Sequence, residues 1–171
     1  MRFAASVEYE GTDYCGWQRQ SEENSVQEEI EKSLSQIMQS DIKIHGSGRT
    51  DASVHALGQV FHFDTEIVRP THSLIKGMNS FLPDKIRIKW VIKVSDDFHA
   101  RFSAISREYQ YLLFSSPINS SILSNHCGWT FYKLDSKLIK TASMKFQGTH
   151  DFSAFRSSEC QAKSPIRSIK N

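Results

Sequence analysis

The sequence predicts an α+β protein built on a ferredoxin-like (RNP-like) antiparallel sheet with helices on one face, and three observations carry that expectation. Apolar and other residues alternate around Phe3–Tyr9 and again around Ile86–Val94, the period of half-buried strands. Between these lie two segments with apolar residues at helical spacing, and between the helices a Gly-flanked stretch joins two short apolar runs. The resulting order, strand, helix, strand, loop, strand, helix, strand, suits helices layered on an antiparallel sheet.

The opening strand carries Phe3, Ala5, Val7 and Tyr9 on one face and ends at Gly11, after which residues 10–16 read as a loop. Ser25 and Glu28 form a capping-box pattern ahead of Val26, Ile30, Leu34, Ile37 and Met38, which share one helical face, so a helix is expected over residues 26–39. Its acidic first turn complements the helix dipole. Ile42 and Ile44 predict a short strand, and Val60 to Asp64 another with Phe61 and Phe63 on one face. Leu74, Ile75, Met78 and Phe81 predict a second helix stopped near Pro83. The clearest strand follows, with Ile86, Ile88, Trp90, Ile92 and Val94 alternating with Arg87, Lys89, Val91 and Lys93.

Beyond Phe102 a strand is expected from Ile105 to Phe114, then a Ser/Asn-rich loop over residues 115–125 and a helix over 136–147 ending at Gly148. This reads as the start of a second, similar unit. The expected division is a first α+β half over residues 1–102 and the beginning of a second over 103–171.

A chain of 171 residues, 39% apolar, can build a substantial core. Cys15, Cys127 and Cys160 are odd in number and lack CxxC spacing, which disfavours a disulfide framework or a zinc site and fits a reducing, cytoplasmic setting. Glu8 and Glu10 follow the N-terminus closely, so no signal peptide or membrane span is expected. The net charge of +2 hides an asymmetry: residues 1–100 hold 11 Lys/Arg and 15 Asp/Glu, the remainder 10 and 4. A basic second part permits a polyanionic partner without requiring one.

The stretch Gly46-Ser47-Gly48-Arg49-Thr50-Asp51-Ala52-Ser53-Val54-His55-Ala56-Leu57-Gly58-Gln59-Val60 sets Arg49 two residues before Asp51 on a loop anchored by strands at both ends. On the residues alone, an Asp after Thr is more often a turn former or helix cap than a presented carboxylate. His45, Asp51 and His55 lack metal-ligand spacing, Gly46-x-Gly48 lacks the Lys of a phosphate loop, and Asp96-Asp97 are adjacent rather than facing.

The same stretch resembles the catalytic loop of the tRNA pseudouridine synthase A family, whose signature reads Gly-Arg-Thr-Asp-Ala-Gly-Val-His before a Gly-Gln-Val strand. Only Ser53 breaks its core. Further similarity lies in Glu8-Tyr9-Glu10-Gly11, Gly16-Trp17-Gln18-Arg19-Gln20, Ser25-Val26-Gln27, Asp97-Phe98-His99-Ala100-Arg101-Phe102-Ser103-Ala104, Arg107-Glu108-Tyr109-Gln110-Tyr111 and Asp151-Phe152-Ser153-Ala154-Phe155-Arg156. The resemblance implies two related α+β halves flanking a cleft. It also implies isomerisation of uridine to pseudouridine in the tRNA anticodon stem-loop, without metal or cofactor, by a homodimer in which one tRNA contacts both subunits.

The family's nucleophile corresponds to Asp51, which is ionised near neutrality by its ordinary pKa of roughly 3.9. Addition to the sugar, addition to the base and removal of a ribose proton all stay open to it. Arg49 corresponds to the residue that handles displaced RNA. Tyr109, on the expected strand with Arg107, corresponds to the tyrosine lying against the target uracil, whereas Tyr111 is expected to be core. His99, Arg101, Arg156, Lys163 and Arg167 are candidate phosphate contacts.

Full-length members continue past the segment matching Pro165 to Ile169, so the second half is expected to be incomplete, with an open strand edge and apolar residues such as Leu113 uncovered. A fragment, a decayed gene product and a form relying on a partner are the readings of that stop. The rival function is a catalytically inactive RNA-binding remnant of the family. A left-handed backbone at position 53 would cost Ser roughly 1–2 kcal/mol.

Overall fold

The computed structural model describes residues 1–20, 24–156 and 164–170. The chain divides into two compact units, Met1–Gln110 and Tyr111–Asn171.

The first unit contains β1 (Arg2–Tyr9), α1 (Val26–Met38), β2 (Ile44–Gly46), β3 (Ala56–Asp64), α2 (Thr71–Phe81) and β4 (Ile86–Val94). The strands form one sheet in the order β2-β3-β1-β4, every neighbouring pair antiparallel. The βαββαβ order read from the sequence is thus the order of the elements.

α1 forms where Ser25 caps it, the Ser25 hydroxyl accepting from the Glu28 amide at 3.3 Å. It ends at Gln39 in the left-handed region (φ 50°). Val26, Ile30, Leu34 and Met38, four residues apart, are fully buried against Phe3, Ala5, Val7 and Tyr9 of β1, Phe61 and Phe63 of β3, and Leu74 and Met78 of α2. Both helices therefore share one core with the same sheet face. Truncating a residue such as Leu34 to Ala would cost about 2–5 kcal/mol. One buried acid sits in this frame: Glu31 Oε1 accepts from the Ile44 amide (3.2 Å) and from Gln27 Nε2 (3.0 Å), while Arg19 Nη1 lies 3.3 Å from Oε2. A buried carboxylate is tolerable only when so surrounded, and this one ties α1 to the start of β2.

β4 does not keep a single face. Ser6 of β1 pairs with Trp90 but Val7 pairs with Ile88, so Lys89 is an extra residue, a β-bulge. Ile86, Ile88 and Val91 are buried, whereas Trp90 and Ile92 are 38% and 50% exposed. At the bulge, Asn79 of α2 takes over the backbone of Ile88, donating to its carbonyl (3.0 Å) and accepting from its amide (2.8 Å).

The sheet's other face is partly covered by the chain following β4. Arg2 pairs with Asp64 through two hydrogen bonds and donates to the carbonyls of Asp96 and Phe98. The buried His62 ring accepts from the Ala100 amide at 3.2 Å and stacks on His45 at 5.0 Å. Burial, reinforced by His99, Arg2 and His45, pulls the His62 pKa down to about 4.

The second unit is built from β5 (Leu113–Ser115) parallel to β6 (Gly128–Thr130), α3 (Ser136–Ser143), and β7 (Gly148–Asp151) antiparallel to β8 (Ile166–Ile169). Asp135 caps α3, accepting from the amides of Lys137 and Leu138. The helix stops at Ser143 and a 3-10 turn over Met144–Phe146 completes the expected helical stretch before Gly148, which takes φ +97°.

Two expectations fail here. The strand expected from Ile105 to Phe114 shrinks to Leu113–Ser115, because a strand needs a ladder neighbour and β6 pairs with those three residues alone. Tyr111, expected in a core, is 82% exposed. No described residue of this unit is buried, so the described residues offer Tyr111 no interior to enter. Leu113 is 46% exposed, as expected of an uncovered apolar residue.

Candidate active site

The loop over residues 47–55 links β2 to β3, and its backbone is held from two sides. From the sheet, the Ser47 amide donates to the Val60 carbonyl (2.8 Å), and Gln59 of β3 donates through Nε2 to the Gly48 carbonyl (2.6 Å). From the segment after β1, the Trp17 amide donates to the Thr50 carbonyl (3.1 Å), and the Ser53 amide donates to the Tyr14 carbonyl (3.2 Å). The Gly11 amide donates to His55 Nδ1 (3.0 Å) and the hydroxyls of Tyr9 and Thr50 share a hydrogen bond of 2.8 Å. The loop is pre-organised by these bonds, which engage the Thr50 and His55 side chains and leave those of Arg49 and Asp51 exposed.

Two glycines permit the approach. Gly16 adopts φ +113°, and a side chain there would collide with the Thr50 carbonyl; one at Gly11 would collide with the Val54 carbonyl. Ser53 lies in the left-handed region at φ +64° without being glycine. Its hydroxyl is 3.4 Å from the Thr12 carbonyl, a weak compensation.

Asp51 and Arg49 are both exposed on this loop. The Asp51 main-chain carbonyl closes a turn by accepting from the Val54 amide (3.3 Å), and its carboxylate takes no hydrogen bond from a described residue. This acid is therefore displayed rather than consumed as a cap. Such a carboxylate, fixed in position and open to solvent, can act as a nucleophile or a base.

Tyr109 stands on an irregular segment of the same unit and is 83% exposed. Two residues before it, Arg107 donates through Nη2 to the Ser47 carbonyl at 2.6 Å and lies 3.4 Å from the Arg101 carbonyl. Arg107 thus joins the segment that carries Tyr109 to the loop that carries Arg49 and Asp51.

Histidines considered as ligands are engaged elsewhere, His45 in the stack with His62 and His99 and His55 with Gly11. Among the described residues, no three His, Cys, Asp or Glu side chains are placed to hold a metal ion. Arg101 lies over the Phe102 ring at 5.7 Å, and His99 packs against His62. Arg156 and Arg167 belong to the second unit and are exposed, while Lys163 and Cys160 lie outside the described residues. Among the described residues, no helix is long and apolar enough to cross a membrane.

Sequence reading singled out the displayed residues and missed most of what holds them. Tyr9, Trp17 and Gln59 stand in the segments quoted above, but nothing in their spacing shows that they converge on one loop.

Residues 5–103 match the family described as tRNA pseudouridine synthase. The chain is 49% identical over 169 residues to the tRNA pseudouridine synthase A of Nitrosomonas eutropha, covering 99% of this chain and 61% of that protein. It is 45% identical over 168 residues to the protein of the same name from Paraburkholderia phytofirmans, covering 98% of this chain and 62% of the relative. With that of Chromobacterium violaceum it shares 45% identity over 171 residues, 99% of this chain and 65% of the relative. The chain spans less than two thirds of the length of these curated relatives.

Proposed function

This chain belongs to the tRNA pseudouridine synthase family, and we propose that it isomerises uridine to pseudouridine in the anticodon stem-loop of tRNA. Asp51 is the nucleophile, Tyr109 the residue against which the uracil stacks, and Arg49 the contact that handles the displaced nucleotide. Supporting this most directly is the exposed carboxylate of Asp51 on a loop braced by Tyr9, Trp17, Tyr14 and Gln59.

In the reaction, the bond between ribose C1′ and uracil N1 breaks, the base turns, C1′ bonds to C5, whose hydrogen leaves as a proton, and N1 takes up a proton, so the product is an isomer of the substrate. No electron is gained or lost overall, so a carboxylate suffices and no cofactor is assigned. As a nucleophile Asp51 has two routes, attack at C1′ or addition to the ring; removal of a ribose proton would make it a base instead. Extruding the uridine costs a few kcal/mol, which stacking on Tyr109, worth about 1–3 kcal/mol, offsets in part. The same reading assigns a homodimer and a cytoplasmic setting. It divides the chain into a first α+β half over residues 1–102 and the start of a pseudo-repeated second over 103–171.

A second reading, an RNA-binding form without turnover, is favoured by one observation: no described residue of the second unit is buried. Tritium release from tRNA labelled at uridine C5, run beside a filter-binding titration, separates the two. Release supports the synthase; binding without release supports the remnant. In both cases affinity should fall as salt rises, because neutralised phosphates release counterions.

A further inference from the structure

We infer that Arg107 is a positioning residue that latches the Tyr109 segment to the Asp51 loop, so that the stacking ring and the carboxylate keep a fixed relation. The roles of Tyr109 and Asp51 in this inference rest on the synthase reading; the latch itself rests on geometry. Residues 105–110 have no helical or strand pairing to hold them. Among the hydrogen bonds of the described residues, the contact tying Tyr109's neighbourhood to the loop is that from Arg107 Nη2 to the Ser47 carbonyl, 2.6 Å, charge-assisted.

The guanidinium does not merely touch the loop at a point. Arg107 Nε stands 3.6 Å from where a side-chain carbon of Gly48 would lie, so the group runs along the backbone from Ser47 to Gly48. The Gly48 carbonyl is already held by Gln59 and the Ser47 amide by Val60. Arg107 thus grips a stretch the sheet has made rigid, one residue before Arg49. Its third contact, the Arg101 carbonyl at 3.4 Å, turns back to the chain that has just crossed the buried His62. Anchored on both sides, the segment emerges from rigid structure two residues before Tyr109. A near-attack geometry needs that rigidity, since small misplacements of reacting groups lose large factors in rate.

Arg107→Ala and Arg107→Lys test the latch in the full chain. Amide order parameters of Glu108 and Tyr109, measured by nuclear spin relaxation, should fall from the ordered range of about 0.85 to below about 0.6 in Arg107→Ala. Arg107→Lys, keeping a charged donor but not the planar guanidinium, should lie between. In turnover, kcat should drop about tenfold or more while KM for tRNA stays within about threefold, the signature of lost positioning rather than lost binding. Unchanged order at 108–109 in Arg107→Ala overturns the inference, as does a loss confined to KM, which would make Arg107 an RNA contact. A wild-type chain that turns over no tRNA counts against the synthase reading and leaves the relaxation measurement to decide the latch.

Discussion

The hydroxyls of Tyr9 and Thr50 lie 2.8 Å apart, linking the last residue of the first strand to the residue immediately before Asp51. Tyr9 is otherwise buried in the core, its ring 6.0 Å from that of Trp17. Burial raises its pKa and the bond to Thr50 works the other way, so it stays a neutral hydroxyl near pH 7. The core of the first unit is thereby wired to the candidate nucleophile through one side-chain bond.

Tyr9→Phe keeps the ring and removes that bond. Stability should fall by about 1 kcal/mol, read from urea denaturation, and turnover should fall with it if the loop is held in its active form. Turnover equal to wild type would show that the backbone bonds to Trp17 and Tyr14 hold Thr50 unaided.

Ser53, like Gln39, is a non-glycine residue held in the left-handed region, at φ +64°. Ser53→Gly removes the steric cost but loosens the unfolded chain and gives up the weak bond to Thr12, leaving a net gain of about 0.5–1 kcal/mol. A rise in the urea midpoint with unchanged slope is the expected result.

The buried His62 makes stability pH-dependent. Its pKa in the fold is lowered from 6.5 to about 4, so the unfolded chain binds the proton more readily than the native one. Stability from this group is therefore intact above pH 6.5 and declines as the pH falls towards about 4. His45, His99, Arg2 and Asp64 face the same ring, and the hydrogen bond from Arg2 holds the Asp64 carboxyl below its ordinary pKa. Urea midpoints between pH 7 and pH 4 should follow that decline, and His62→Gln should flatten it.

Tyr109, 83% exposed, should tolerate replacement without loss of stability beyond about 0.5 kcal/mol. Tyr109→Phe should keep most turnover, whereas Tyr109→Leu should lose roughly tenfold or more, as expected of a stacking contact worth about 1–3 kcal/mol. Equal losses in the two variants would assign the role to the hydroxyl instead.

Much of the first unit was legible because its signals are local. The four-residue spacing of Val26, Ile30, Leu34 and Met38 and the alternation along Phe3–Tyr9 each report directly on which side faces the core. What stayed hidden depends on neighbours. The bulge at Lys89, which turns Trp90 and Ile92 outward, arises from pairing with Ser6 and Val7, far away in sequence. Glu31 reads as one more surface acid on a helix, yet it is buried beneath Arg19 and Lys43. Residues 105–112, Tyr111 among them, have the apolar alternation of a strand but not the ladder to realise it. At the candidate site, Asp51 and Arg49 could be picked out from their motif, whereas the tethers from Tyr9, Trp17 and Arg107 join segments that only the fold brings together.

The central claim concerns one carboxylate, and Asp51→Asn examines it with the least disturbance, since the amide nearly matches the acid in shape but is a poor nucleophile. Tritium release from C5-labelled tRNA should be abolished in this variant, with tRNA affinity within a few-fold of wild type. Release near the wild-type rate would remove Asp51 from the chemistry and contradict the account.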